Sequence, residues 1–208
     1  MKRIGLLMAT MLVCMVASAQ ITWNVKAGAG FATMRGDVED AKGKLGWKIG
    51  VGIEKPLSAD WLFMPSLEFK QKGTQVSYTD YTESEHSKVS VSYLQLPILA
   101  AYRTRLNDDF NLTLKAGPYV AYALSGKEKY EYSYNGESGK EEYDLFDDDG
   151  IGKRFDAGLL LGLDFEYHRF VLGAEFEYGF LPAAKVEDED ETFKAYNTSF
   201  YITLGYKF

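Results

Sequence analysis

Cysteine is almost missing from this chain: there is 1 in 208 residues, Cys14, near the N-terminus. Beyond it the sequence can build no disulfide, no thiolate metal site and no cysteine nucleophile. Histidine is scarce, with His86 and His168 the only 2. A helical stripe of period 3.6 is lacking after residue 20, so no amphipathic helix is expected. Apolar runs long enough for a spanning helix, about 20 residues, are also lacking. Positive charge is short: 23 Lys and Arg stand against 30 Asp and Glu, a net −7. Phosphate backbones are bound by clustered cations, so nucleic acid is excluded as a partner.

The first residues read as a leader. Lys2 and Arg3 form a positive start, residues 4–16 are apolar, and Ala17-Ser18-Ala19 is an A-x-A cleavage site. This is the pattern of a secretory signal peptide, expected over 1–19, with the folded domain over 20–208. Val13 before Cys14 is not small, which argues against lipid attachment there.

What the chain has is aromatic residues, 15%, together with 20 glycines, a composition suited to strands. Alternation of period two recurs in eight segments, at residues 23–34, 45–54, 61–74, 89–103, 110–124, 154–167, 170–180 and 197–208. In residues 45–54, Trp47, Ile49, Val51 and Ile53 oppose Lys48, Gly50, Gly52 and Glu54. Short turns fall at 55–60, 104–109 and 168–169. Longer polar stretches fall at 35–44, 75–88, 125–153 and 181–196. Alternation does not by itself say which face points inward.

Three features decide that the polar face is internal. Glycine crowds it (Gly28, Gly30, Gly50, Gly52, Gly117, Gly158, Gly162, Gly173), which suits a narrow barrel interior that must admit a few large side chains. Aromatics band at both segment ends, with Trp23, Trp61, Tyr102 and Phe170 at one and Tyr122, Tyr178 and Phe180 at the other. The leader exports the chain without anchoring it, and only a closed barrel spans a bilayer without helices. The expected fold is all-β: an eight-stranded antiparallel up-and-down transmembrane barrel with short periplasmic turns and four longer extracellular loops. Its expected place is the outer membrane of a Gram-negative bacterium.

Three stretches carry a family resemblance: "YLQLPILAAYR" at 93–103, "AGPY" at 116–119 and "FYITLGYKF" at 200–208. They resemble the PorT-like outer-membrane β-barrel family of Bacteroidota-type bacteria, over essentially the whole exported chain. The resemblance implies a barrel of that kind. It implies no single activity, since the family is functionally mixed; one class of members supports a gliding and type IX secretion apparatus. The aromatic end, Tyr206 and Phe208 on the last alternating strand, resembles the signal read by the barrel assembly machinery.

The internal face is expected to carry Lys26, Lys48, Glu54, Glu68, Lys70, Arg103, Lys115, Asp164, Glu166, Glu175, Glu177 and Lys207. Buried charges must be paired, so these read as a structural network that plugs the lumen. Glu175 and Glu177 as an acid–base pair is the weaker reading. His86 with Ser84, Glu85 and Ser87 is the one place to look for lipid hydrolysis or acyl transfer. Asp147 and Asp149, with Asp156 in the last position, imitate a calcium loop, but Leu145 stands at the first ligand position and the motif fails. Glu187–Glu191 is a solvated acidic run. Tyr130, Tyr132 and Tyr134 alternate ahead of Asn135-Gly136, a strong hairpin signal. They predict a hairpin extending the fifth and sixth strands beyond the membrane, with the tyrosines as a partner-binding surface.

These readings give a small non-enzymatic outer-membrane barrel with a structural or interaction role. A narrow channel and an accessory to a secretion apparatus are the alternatives. No cofactor or metal is expected. The expected partners are outer-membrane lipids, the assembly machinery and an envelope protein still to be identified.

Overall fold

The computed structural model describes residues 21–37, 41–79, 83–134, 137–147, 152–187 and 192–208. The expected leader, the Asn135-Gly136 turn, Asp149 and residues 188–191 of the acidic run lie outside them. Among the described residues nine strands form: β1 (Thr22–Gly36), β2 (Lys42–Pro56), β3 (Trp61–Thr79), β4 (Glu83–Arg105), β5 (Phe110–Tyr134), β6 (Glu137–Asp144), β7 (Phe155–Tyr167), β8 (Phe170–Glu187) and β9 (Thr192–Lys207). Among the described residues no helix is long and apolar enough to cross a membrane.

Every pairing is antiparallel. It runs from β1 through β5, passes to β7, β8 and β9, and closes where β9 meets β1. Eight strands thus make the ring. The ninth, β6, pairs among the described residues with the upper part of β5 alone. The seam is continuous from Asn24 against Lys207 to Gly36 against Ala195, so the barrel has no open edge along its wall.

Lys48 is 1% exposed while its neighbours Trp47 and Ile49 are 44% and 54% exposed. That inversion of the usual soluble pattern runs along every ring strand and marks a wall facing lipid. Aromatics pair at its lower rim, Trp61 on Tyr102 at 5.5 Å, Phe110 on Tyr167 at 4.8 Å and Phe170 on Tyr206 at 5.3 Å. Tyr178 and Phe180 pair at the upper rim at 5.8 Å.

The short turns are tied locally. Asn107 Oδ1 accepts from the amides of Asp109 (3.0 Å) and Phe110 (2.9 Å), and His168 takes a left-handed φ of 52° between β7 and β8.

The long ends differ from the sequence expectation. Residues 75–88 were expected to be a polar loop, yet β3 runs to Thr79 and β4 starts at Glu83, while β5 continues to Tyr134 as the expected hairpin requires. The reason is backbone pairing that does not stop at the membrane: Gln75 to Thr79 stay in register with Lys88 to Ser84, and Glu83 to Lys88 with Tyr134 to Lys129. The expected hairpin forms on β5, but its return strand is β6, and the sixth ring strand is the separate β7. Between them Leu145 turns inward, its amide donating to Gly126 O at 3.0 Å, and Lys153 N donates to Ala183 O at 2.7 Å.

Candidate functional site: the barrel lumen and the outer sheet

Inward side chains of the ring stack into three charged layers. In the lowest, Glu166 of β7 meets Arg103 of β4 at 2.9 Å and Lys207 of β9 at 2.8 Å, and Thr113 donates to it at 2.8 Å. Glu54 of β2 joins through Lys207 at 2.9 Å and through Arg103.

In the middle layer Glu68 takes Lys26 at 2.8 Å and Lys48 and Lys70 at 2.9 Å each. Glu175 takes Lys26 at 3.1 Å, Lys115 at 2.8 Å and Lys48. Asp164 holds Lys115 at 2.6 Å. In the upper layer Glu177 binds Lys72 at 3.1 Å, Gln95 at 3.0 Å and Lys70. Asp156 accepts from Lys72 at 3.3 Å and Asn197 at 2.9 Å.

The lumen therefore balances its own charge. Lys26, Lys48, Lys70, Lys72, Arg103, Lys115 and Lys207 face Glu54, Glu68, Asp156, Asp164, Glu166, Glu175 and Glu177. Oxygens of Glu68, Glu175 and Glu177 lie within 4.8 Å of one another. Such a trio could hold a cation, but lysine ammonium groups already fill that role. A cavity of about 20 Å³ beside Lys26, Glu54 and Lys115 has room for about one water.

Glycine makes this filling fit. A Cβ on Gly30 would stand 1.9 Å from Phe200 O and 2.6 Å from Tyr201 Cα, and one on Gly46 2.4 Å from Gln71 O. The fully buried Tyr201 ring lies in the space these residues leave, its hydroxyl donating to Gln71 O at 3.0 Å. Gly158 and Gly179 flank Tyr119 in the same way.

Lys72 and Asp156 escaped the sequence reading of the interior. Lys72 was legible, since it continues the face of Glu68 and Lys70 two residues on. Asp156 was weighed only as the end of a calcium-like loop, whereas its carboxylate turns into the lumen. Tyr93, Tyr119 and Asn197 form the lid of the charged stack: Asn197 donates to Tyr93 Oη at 3.2 Å, and Lys72 lies 4.6 Å from the Tyr119 ring centroid.

Above the membrane β3, β4, β5 and β6 continue as a four-stranded sheet. A strand crosses a bilayer in about 9–11 residues, and β5 has 25, so more than half of it stands clear. One face of β5–β6 carries Glu128, Tyr130, Tyr132 and Tyr143, with Tyr130 and Tyr132 rings 5.9 Å apart. The other carries cross-strand ion pairs, Lys129 to Glu142 at 3.1 Å, Lys140 to Glu131 at 2.9 Å and Lys127 to Glu142. Hydrogen bonds from Lys127 and Lys129 hold the Glu142 carboxyl below its ordinary range, and Lys140 does the same for Glu131.

Tyr134 contributes backbone pairing with Glu83 and Glu137. Ser87 donates to Glu128 at 2.5 Å, and His86, its chain neighbour, falls on the opposite face of β4. Tyr206 and Phe208 meet edge to face at 5.2 Å on the lower rim, and Phe208 N donates to Trp23 O at 2.9 Å.

Among solved structures the chain is similar to Ail, the attachment invasion locus protein of Yersinia pestis (14% identity, 90% of this chain and 98% of that one, TM-score 0.34). It is similar also to Neisserial surface protein A (11%, 89% and 97%, TM-score 0.43) and to OprG from Pseudomonas aeruginosa (13%, 89% and 95%, TM-score 0.41). No curated protein matches it. A family model described as "Outer membrane protein beta-barrel domain" matches residues 17–185. With most of its length matched and a closed ring whose apolar side faces outward, the chain belongs to the outer-membrane β-barrel protein family and resides in the outer membrane of a Gram-negative bacterium.

Proposed function

We propose that this barrel is non-enzymatic and acts as an interaction or structural protein through its extracellular sheet. The observation that carries the reading is the sheet β3–β6, which stands on a barrel whose lumen is filled by paired charges. Among the described residues the outer edge of β6 pairs with no further strand, and an open edge accepts a partner strand. A photoreactive residue at Tyr132 in intact cells tests this. The expected result is one reproducible protein adduct; labelling no different from background would overturn it.

Within the family we place the chain among PorT-like barrels, on the stretches at 93–103, 116–119 and 200–208. A role as secretion accessory follows only from that affinity, and normal secretion after deletion of the gene would remove it. The assembly machinery is proposed to engage Tyr206 and Phe208, so Phe208→Ala is expected to slow membrane insertion in a pulse-chase assay. An unchanged insertion rate would remove that role.

A further inference from the structure

Directly above Tyr93 the extracellular mouth holds a partly open cavity of about 160 Å³. Its wall is apolar: Met34, Val76, Val91, Leu145, Phe146 and Phe193 contribute from β1, β3, β4, the segment after β6, and β9. Two separate apolar clusters meet there, one containing Val91, Tyr93 and Leu145, the other Met34 and three alanines. Those alanines, Ala183, Ala184 and Ala195, leave the space, since larger side chains at the same places would fill it.

Water is a poor occupant. A buried water needs two to four polar partners, and Ser87, Glu128, Tyr93 and Thr74 of this wall each already have a hydrogen-bond partner. Ser87 donates to Glu128 at 2.5 Å, the Tyr93 hydroxyl accepts from Asn197 at 3.2 Å, and Thr74 donates to Lys42 O at 3.2 Å. An apolar cavity of about 150 Å³ accepts a molecule the size of benzene. The floor then decides between passage and retention. Below Tyr93 lie Asp156, Lys72 and Asn197, a layer that an apolar molecule cannot cross without displacing paired charges.

We propose that the extracellular mouth is a dead-end binding site for a small apolar molecule of about one aromatic ring. The cavity shares β3, β4 and Glu128 of β5 with the outer sheet, but its test reads a bound small molecule and not a protein adduct, so the two readings fail separately.

The test uses the segment 20–208, which contains every described strand, refolded in detergent micelles and titrated with toluene. Its two methionines are ready reporters: Met34 lines the mouth cavity and Met64 lies in the lumen. The Met34 methyl resonance is expected to move and saturate while that of Met64 stays in place. Ala183→Leu and Val76→Phe fill the cavity from opposite walls, and each that refolds is expected to weaken toluene at least tenfold. Joint unsaturable drift of both methyls, which signals partition into detergent, would overturn the site. So would no movement of Met34, or a saturable shift that survives both filling variants.

Discussion

At the scale of the residue, the lumen works by reciprocity. Glu175 touches Lys26, Lys48 and Lys115, and all of these lie where water is largely excluded. Removing one partner of such a set leaves buried charges uncompensated, which costs about 3–5 kcal/mol. Glu175→Gln is therefore expected to lower the unfolding free energy by about that amount in urea titrations of the micelle-bound barrel. A loss under about 1 kcal/mol would show the network to be hydrated and weak. Removing both members of a pair should hurt less than the sum of the single changes, so Lys70→Met with Glu177→Leu is expected to be sub-additive. Gly30 tests the other side of the packing. Its missing Cβ would meet the Phe200 carbonyl at 1.9 Å, a backbone group that cannot turn aside. Gly30→Val is expected to break the β1–β9 seam and abolish the heat-resistant folded band on gels.

At the scale of the element, the outer hairpin is separable from the ring. Among the described residues its strand β6 pairs with β5 alone, and the ring closes without it. Replacing residues 128–143 by a short Gly-Ser turn is expected to preserve membrane insertion and folding while removing any adduct formed through Tyr132. Loss of the folded barrel would instead make the hairpin part of the fold. The cross-strand pairs predict a pH response. The Glu142 and Glu131 carboxyls are lowered from an ordinary value of 4.5 by lysine hydrogen bonds. A carboxyl lowered in the folded state stabilises above its unfolded value and loses that contribution as pH falls through its folded one. Amide protection of β6 is expected to be level from pH 7 to about 5 and to fall in stronger acid. Because these groups are exposed, molar salt should flatten the effect. Protection that fell between pH 7 and 6 would point to another group.

At the scale of the whole molecule, balance between cations and carboxylates leaves the lumen without a fixed charge of one sign and with little open volume. Single-channel recordings of the reconstituted barrel are expected to show no resolved conductance steps. Steady steps would mean that the layers part, and would favour a channel over an interaction protein. Combining this record with the cross-linking result separates the two readings, because each predicts a signal where the other predicts none.

The alternation along the chain was enough to determine eight ring strands, the short turns and the inward placement of the polar face. Side-chain direction in a strand is a local property with period two. The aromatic bands followed for the same reason, since position along a strand is depth in the membrane. The strands above the membrane were less legible, because Gln75 to Lys88 is polar and looks like loop until neighbouring backbones pair with it. What only the tertiary structure decided is who meets whom across the lumen. Lys48 of β2 reaches Glu175 of β8, 127 residues away. That meeting depends on strand tilt and on stagger around the ring, which no local period encodes. The mouth cavity is the extreme case. Met34, Val76, Ala183 and Phe193 are scattered apolar residues in the sequence and become a site only when closure of the barrel sets them around one space.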